Sequence, residues 1–302
     1  MTLILSLMRP LAVIFLLLSL GACSALQPAG ANHTDLDFQI YNPQQQSMFA
    51  VTSTLISGPS EAILFDAQFQ QNDAQQLVNM VLASGKKLTT IYISHADPDY
   101  YFGLDVLTTA FPQARVVATP ATVAKISQTM AGKKAYWGPI LKDNAPTRLV
   151  LPQPLSDNKL TVDGETIEII GMQGHDPLHT FAWLAAEKTV VGGVVLMENM
   201  HLWMADAKTP AEREAWLTTL DRMAELQPER VIAGHFIGRT KADSRVIEFN
   251  REYLRTFNRL AGNSKTAAEL IAGMKQAYPQ LAEEKTLEFS AGVVKGDIRW
   301  PQ

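Results

Sequence analysis

LTTIYISHADPDY, residues 88–100, decides the reading of the whole chain. Leu88–Ser94 is an apolar and β-branched run of strand length, and its carboxyl end delivers His95. Two acidic residues follow at alternate positions, Asp97 and Asp99, with Pro98 between them. Proline fixes its own φ and pushes the residue before it towards extended geometry, so the loop is pre-organised. Imidazole and carboxylate groups suit zinc, iron or manganese at neutral pH, and alternate positions of an extended loop can face one ion. Asp99 also stands where a helix begins near Tyr101, a place where a negative charge is stabilised.

Outward from this stretch the chain alternates strand and helix. Upstream, Val51–Ser57 and Glu61–Asp66 are strand-like runs around Gly58-Pro59-Ser60, a hairpin signal. Asn72–Ser84 carries Leu77, Met80, Val81 and Leu82 at helical spacing and stops at Gly85. Downstream, Arg115–Ala118 reads as a strand leading into a helix over Thr119–Met130. Leu160–Ile170, Thr180–Ala185 and Lys188–Met197 read as strands, with Gly174-His175 in the loop between the first two. Thr209-Pro210-Ala211-Glu212 has the form of a capped helix start, with Thr at the cap, Pro at N1 and Glu at N3. That helix runs towards Leu226; the short strand Arg230–Ala233 then ends at Gly234-His235, and Asp243 to Leu281 is mainly helical. No repeat or linker divides this body, which reads as one α/β domain over 36–302.

The chain has six histidines, of which His33 precedes the body. His95 and His235 lie just past apolar strands and His175 in a loop between strands, where α/β architectures let side chains converge. One such histidine is usually structural; three beside an acidic cluster are not.

The order of these features resembles the metallo-β-lactamase superfamily: a strand, a His-x-His-x-Asp-His loop, a distant Gly-His, a strand ending in Gly-Asp, then a last Gly-His. The resemblance implies a four-layer αββα sandwich and a zinc-dependent hydrolase, with one or two ions, or iron or manganese in their place. It assigns His95, Asp97 and His175 to a first ion, with Asp97 standing where a second histidine is expected. It assigns Asp99 and His235 to a second. Tyr100 replaces the loop's last histidine, and Gly193 in Val190-Val191-Gly192-Gly193 replaces the bridging aspartate. The first site keeps three ligands with room for water, the pattern of a catalytic zinc; the second keeps two. Asp176, His179, Glu198, Asn199 and His201 are candidates to supplement it. Asp99 and Tyr100 are the candidate catalytic groups, and Tyr100 and Trp203 candidate pocket walls, whereas Phe102 reads as core. The resemblance implies hydrolysis of a small ester, lactone or amide-type substrate through a metal-bound water. The lost ligands motivate a second reading, a catalytically impaired lipoprotein that binds a ligand or partner. His95, Asp97 and a distant histidine also fit an iron oxygenase triad, although the strand–helix alternation is wrong for a jelly roll.

At the N-terminus, LAVIFLLLSL over Leu11–Leu20 is apolar and uncharged, with Arg9 ahead of it and Gly21-Ala22 behind. This is a secretory signal, shorter than a membrane span. Cys23, the one cysteine, completes Leu20-Gly21-Ala22-Cys23, which resembles a bacterial lipobox. The expected organisation is a signal peptide over 1–22, a flexible tether over 23–35 from a lipidated Cys23, and the domain. The protein is then exported and held in the bacterial envelope, facing the periplasm or exterior, touching the membrane through its lipid alone. A net charge of −4 provides no basic footprint for nucleic acid and names no partner, while the resemblance implies a small-molecule substrate. A Cys23→Ser variant is expected to leave the membrane fraction and lose incorporation of labelled fatty acid; unchanged fractionation would remove the anchor.

Overall fold

The computed structural model describes residues 34–174 and 176–300. The signal segment, Cys23, His33 and His175 lie outside the described residues.

The first sheet begins with three antiparallel strands, β1 (Asp37–Tyr41), β2 (Ser53–Ser57) and β3 (Glu61–Phe65). Helix α1 (Gln71–Ser84) ends on Gly85, whose φ of 66° is the left-handed cap that glycine takes at no steric cost. It carries the chain back to β4 (Lys87–Ile93), parallel to β3. The short helix α2 (Pro98–Tyr101) and α3 (Leu104–Ala110) precede β5 (Arg115–Ala118), and α4 (Pro120–Leu141) precedes β6 (Gln153–Pro154), both strands parallel additions. The sheet order is β1-β2-β3-β4-β5-β6.

The second sheet is built from β7 (Lys159–Val162), β8 (Glu165–Ile170), β9 (Phe181–Leu184) and β10 (Thr189–Val191). After β11 (Met197–Glu198) and α5 (Pro210–Glu225), β12 (Arg230–Ile232) joins it parallel to β10, in the order β12-β10-β9-β8-β7. β13 (His235–Phe236) pairs separately with β11, and α6 (Arg245–Asn263), α7 (Ala267–Ala277) and α8 (Glu284–Lys295) complete the body.

Burial on both strand faces makes the layers. From β3, Ile63 and Phe65 enter a core shared with Leu160, Ile167, Ala182 and Ile232 of the second sheet. Ala62 and Leu64, pointing the other way, join Leu77 and Val81 of α1, while Val190 and Val231 of the second sheet share that larger core with Trp216 and Leu220 of α5. The strands therefore read as continuous apolar runs rather than as alternation, and the architecture is a four-layer α/β sandwich.

Three elements differ from expectation. Leu160–Ile170 is a hairpin rather than one strand, because Asp163-Gly164 take φ of 46° and 87°, the left-handed pair of a two-residue turn. Asp163 also ties the two sheets: its carboxylate accepts the Ser60 and Glu61 N–H groups at 2.9 and 2.8 Å, and a Cβ on Gly58 would collide with it. The helix expected to stop at Met130 continues to Leu141 past Gly132 and Gly138. Lys188–Met197 breaks after Val191 into a 3-10 turn over Gly193–Val195, with Gly193 at φ 53°.

The capped start at Thr209 forms as the pattern requires: its hydroxyl accepts the Glu212 N–H at 3.2 Å and the Glu212 carboxylate accepts the Thr209 N–H at 2.7 Å. Thr209→Ala is expected to lower unfolding free energy by about 1 kcal/mol in urea titrations; no loss would show that α5 is held by its buried face alone.

Candidate active site

The site lies where β3, β4 and the second sheet's parallel strands end. β3 runs out into Asp66, a buried residue at φ 63°. Its carboxyl group accepts the Ser94 N–H at 2.7 Å and the Ser94 hydroxyl at 2.8 Å, clamping the end of β4. Ala67 N–H then donates to Tyr100 O at 2.7 Å, and Gly103 N–H to Gln68 O at 3.0 Å. A Cβ on Gly103 would stand 2.0 Å from Ala67 O, so only glycine permits this approach. The loop carrying the acidic pair is thereby sewn along its length to residues 66–68.

Two histidine–aspartate pairs stand on either side of Tyr100, one within that loop and one between the loop and β13. His95 Nδ1 lies 3.5 Å from Asp97 Oδ2 and also accepts the Asp97 N–H at 3.3 Å. His235 Nε2 lies 3.2 Å from Asp99 Oδ2. The Tyr100 ring stands edge-on to both imidazoles, each centroid 5.6 Å away, and its buried hydroxyl has no hydrogen-bond partner. Burial, reinforced by the Asp99 charge, keeps this phenol protonated well above its ordinary value of 10. Burial pushes the His95 imidazole down to about 4, so it is neutral at pH 7, the form that binds metals.

A third pair adjoins the first. His179 stacks on Trp216, its ring 5.6 Å from that of His95, with Nδ1 2.6 Å from Asp176 Oδ2. Burial would depress His179, but the Asp176 carboxylate outweighs it and raises the imidazole.

Other candidates stand elsewhere. The Glu198 carboxylate accepts from the Thr240 hydroxyl at 2.6 Å and the Lys241 N–H at 2.9 Å. Asn199 donates to the Ile237 and Arg239 carbonyls, and His201 Nδ1 meets the Tyr253 hydroxyl at 3.0 Å. Phe102 stacks on Phe69 within the core, and Trp203 stacks on Phe289 while its indole N–H donates to Asp206. Gly193 is closed to any side chain: a Cβ there would lie 2.8 Å from Ser94 Oγ, and one on Gly234 would lie 2.2 Å from Gly193 O.

Two residues absent from the sequence reading enter the cluster. Lys133, from the part of α4 beyond its expected end, puts Nζ 2.8 Å from both Asp97 Oδ1 and Ala96 O. Asp206 accepts the Trp203 and Trp300 indole N–H groups at 2.6 and 2.8 Å. Burial and the nearby Asp97 charge raise its carboxyl despite those donors. Nothing local distinguishes Lys133 from Lys125 or Lys134, and a paired Asp206 required knowing where Trp300 returns.

The sequence profile described as the metallo-beta-lactamase superfamily matches residues 47–235, and the chain belongs to that superfamily. Two solved structures show how far the likeness extends. A metallo-beta-lactamase from Pontibacter korlensis superposes with a TM-score of 0.51 at 14% identity, covering 73% of this chain and 93% of its own. The metallo-beta-lactamase FIM-1 from Pseudomonas aeruginosa, in its mono-zinc form, superposes with a TM-score of 0.52 at 15% identity, covering 74% and 91%. At these identities the likeness is one of fold. A search of curated proteins returned no match.

Superfamily membership points to metal-dependent hydrolysis, so the donor set must be tested against an ion. Two ligands on one tetrahedral zinc, with bonds of roughly 2.0–2.1 Å, stand roughly 3.4 Å apart. The His95–Asp97 pair, at 3.5 Å, has that spacing, but the same His95 Nδ1 already accepts the Asp97 N–H at 3.3 Å. Among the described residues no three of His, Cys, Asp and Glu converge on a common point. The described residues therefore do not fit a metal ion by themselves, because they offer two donors where a site needs at least three.

Asp66 supplies a pH test of the clamp. Burial raises its carboxyl from 3.8 to about 8, against the two Ser94 hydrogen bonds, which pull it down. A folded-state pKa above the unfolded one means that stability is greatest below about pH 4 and falls as pH rises towards 8. Asp66→Asn is expected to remove up to ~1.4 kcal/mol per pH unit of that decline. Urea titrations at pH 5 and pH 8 check it; parallel pH profiles for both proteins would show that Asp66 is ionised in the fold.

Proposed function

We propose that the chain is a hydrolase of a small ester, lactone or amide-type substrate, acting outside the cytoplasm from a lipid anchor at Cys23. The observation that carries the reading is the pair of histidine–aspartate contacts flanking the unpartnered Tyr100 hydroxyl. His95, Asp97 and His175 would hold a single zinc, with iron or manganese as alternatives. Such an ion polarises a carbonyl and lowers the pKa of water. The chain's own groups do the rest. The Asp99 carboxylate orients His235, and this pair positions the attacking water and takes its proton. Tyr100, held protonated by burial, donates its hydrogen bond to the oxyanion that develops on the substrate. Trp203, half-buried beside Asp206, provides apolar surface for the substrate's body.

Lys133 on Asp97 favours a second reading, a lipoprotein of hydrolase ancestry that binds a ligand without turnover. Metal analysis and assays on nitrophenyl esters and lactones separate the two. About one equivalent of zinc is expected, together with hydrolysis. His175→Ala should lose both, while Tyr100→Phe should keep the metal and lower kcat on the order of 10²-fold. Absence of both metal and hydrolysis in the natural protein would leave the binding reading, and full activity of Tyr100→Phe would remove the phenol from the mechanism.

A further inference from the structure

Resting on the lipid-anchor reading above, we propose that the exposed face of α4, with residues 48–49 of the loop before β2, docks on an anionic lipid bilayer. Three large apolar side chains stay in solvent on this surface: Met48 at 41% exposure, Tyr136 at 60% and Ile140 at 44%. The half-buried Phe49 and Trp137 join them into one patch. The Phe49 and Trp137 rings meet edge-on with centroids 5.6 Å apart, and those of Trp137 and Tyr136 at 4.9 Å. Ile140 lies one turn beyond Tyr136 on the same helix. Exposed apolar surface that runs together in this way marks an interaction site, whereas single exposed apolar residues are ordinary.

Composition selects a bilayer as the partner. Every exposed residue of α4 is uncharged, and so is every residue of the loop over 42–52. Cations stand at the flanks instead. Between 120 and 148 the chain carries Lys125, Lys133, Lys134, Lys142 and Arg148 against one acid, Asp143, although its net charge is −4. Lys133 is engaged by Asp97, but Lys134 donates to the neutral Thr147 carbonyl, which leaves its charge available to lipid. Tyrosine and tryptophan beside lysines, around an uncharged apolar face, suit the headgroup layer: the rings sit at its boundary and the ammonium groups meet phosphate. A protein partner would instead need the polar rim that this face lacks. Cys23 precedes Thr34 by about 11 residues, a reach of at most roughly 40 Å. An anchored domain therefore meets the bilayer at high effective concentration, and a weak surface suffices. Lys133 links the same helix to Asp97, so docking sets the candidate active site beside the membrane.

The test uses the full lipidated chain in vesicles of phosphatidylethanolamine and phosphatidylglycerol, with a nitroxide on Ile140→Cys or, as a second reporter, on Met48→Cys. Leu82→Cys, at a 65% exposed apolar position on α1, is the control. Flotation reads the anchor, and collision with oxygen against a water-soluble nickel chelate reads the depth of each label. Labels at positions 140 and 48 are expected to gain oxygen contact over nickel contact several-fold on these vesicles, less on phosphatidylcholine, and not after Tyr136→Asp. The label at position 82 should stay in water. Flotation with every label in water overturns the docking and leaves the anchor. Equal immersion of all three labels, or an equal shift on phosphatidylcholine, also overturns the docking. Spin–spin broadening at position 140 that persists on vesicles gives the face to a second copy and overturns it too. A chain that does not float overturns anchor and docking together.

Discussion

The Asp66 carboxyl group, receiving both the N–H and the hydroxyl of Ser94, is the contact on which the site depends. β3 and β4 are parallel neighbours whose ends would otherwise diverge, and this group bridges them one residue before His95. The second sheet meets the same point from the other side. Gly193 packs against Ser94 with no room for a Cβ, and Gly234 crosses Gly193 with a backbone hydrogen bond of 3.1 Å. Ser94 and Gly234 thus meet through Gly193, and His95 and His235 each follow one of them by one residue. The fold brings the two histidines to opposite sides of Tyr100 because these backbones approach as closely as glycine allows.

That crossing also decides which residue can stand at position 193. A side chain at position 193 would need space that Ser94 fills, so the packing requires glycine there. Positive charge enters by another route. Lys133 lies on Asp97, and paired indoles hold Asp206. Asp97 shares its carboxylate with an ammonium.

Some of this was legible in residues 88–100 and their surroundings. The strand before His95, the helix stop at Gly85 and the capping box at Thr209 follow from local rules of backbone sterics and orphan N–H groups, so short windows suffice to read them. Local rules fail where two signals compete. Asp163-Gly164 turns an apparent single strand into a hairpin, and α4 overruns Met130 because glycine lowers helix propensity without forbidding the helix.

Sequence alone determined the fold class, since the strand–helix alternation and the family resemblance carried by the Ser94–Tyr100 motif are encoded residue by residue. Tertiary structure decided which polar groups meet. His179 rather than His201 stands beside His95, Lys133 rather than Lys134 holds Asp97, and Glu198 turns to Thr240 and Lys241. Candidates a few residues apart on the chain part company because neighbouring side chains leave the backbone in different directions. Partners tens of residues apart meet only where two sheets end together, and the packing of the layers fixes that place.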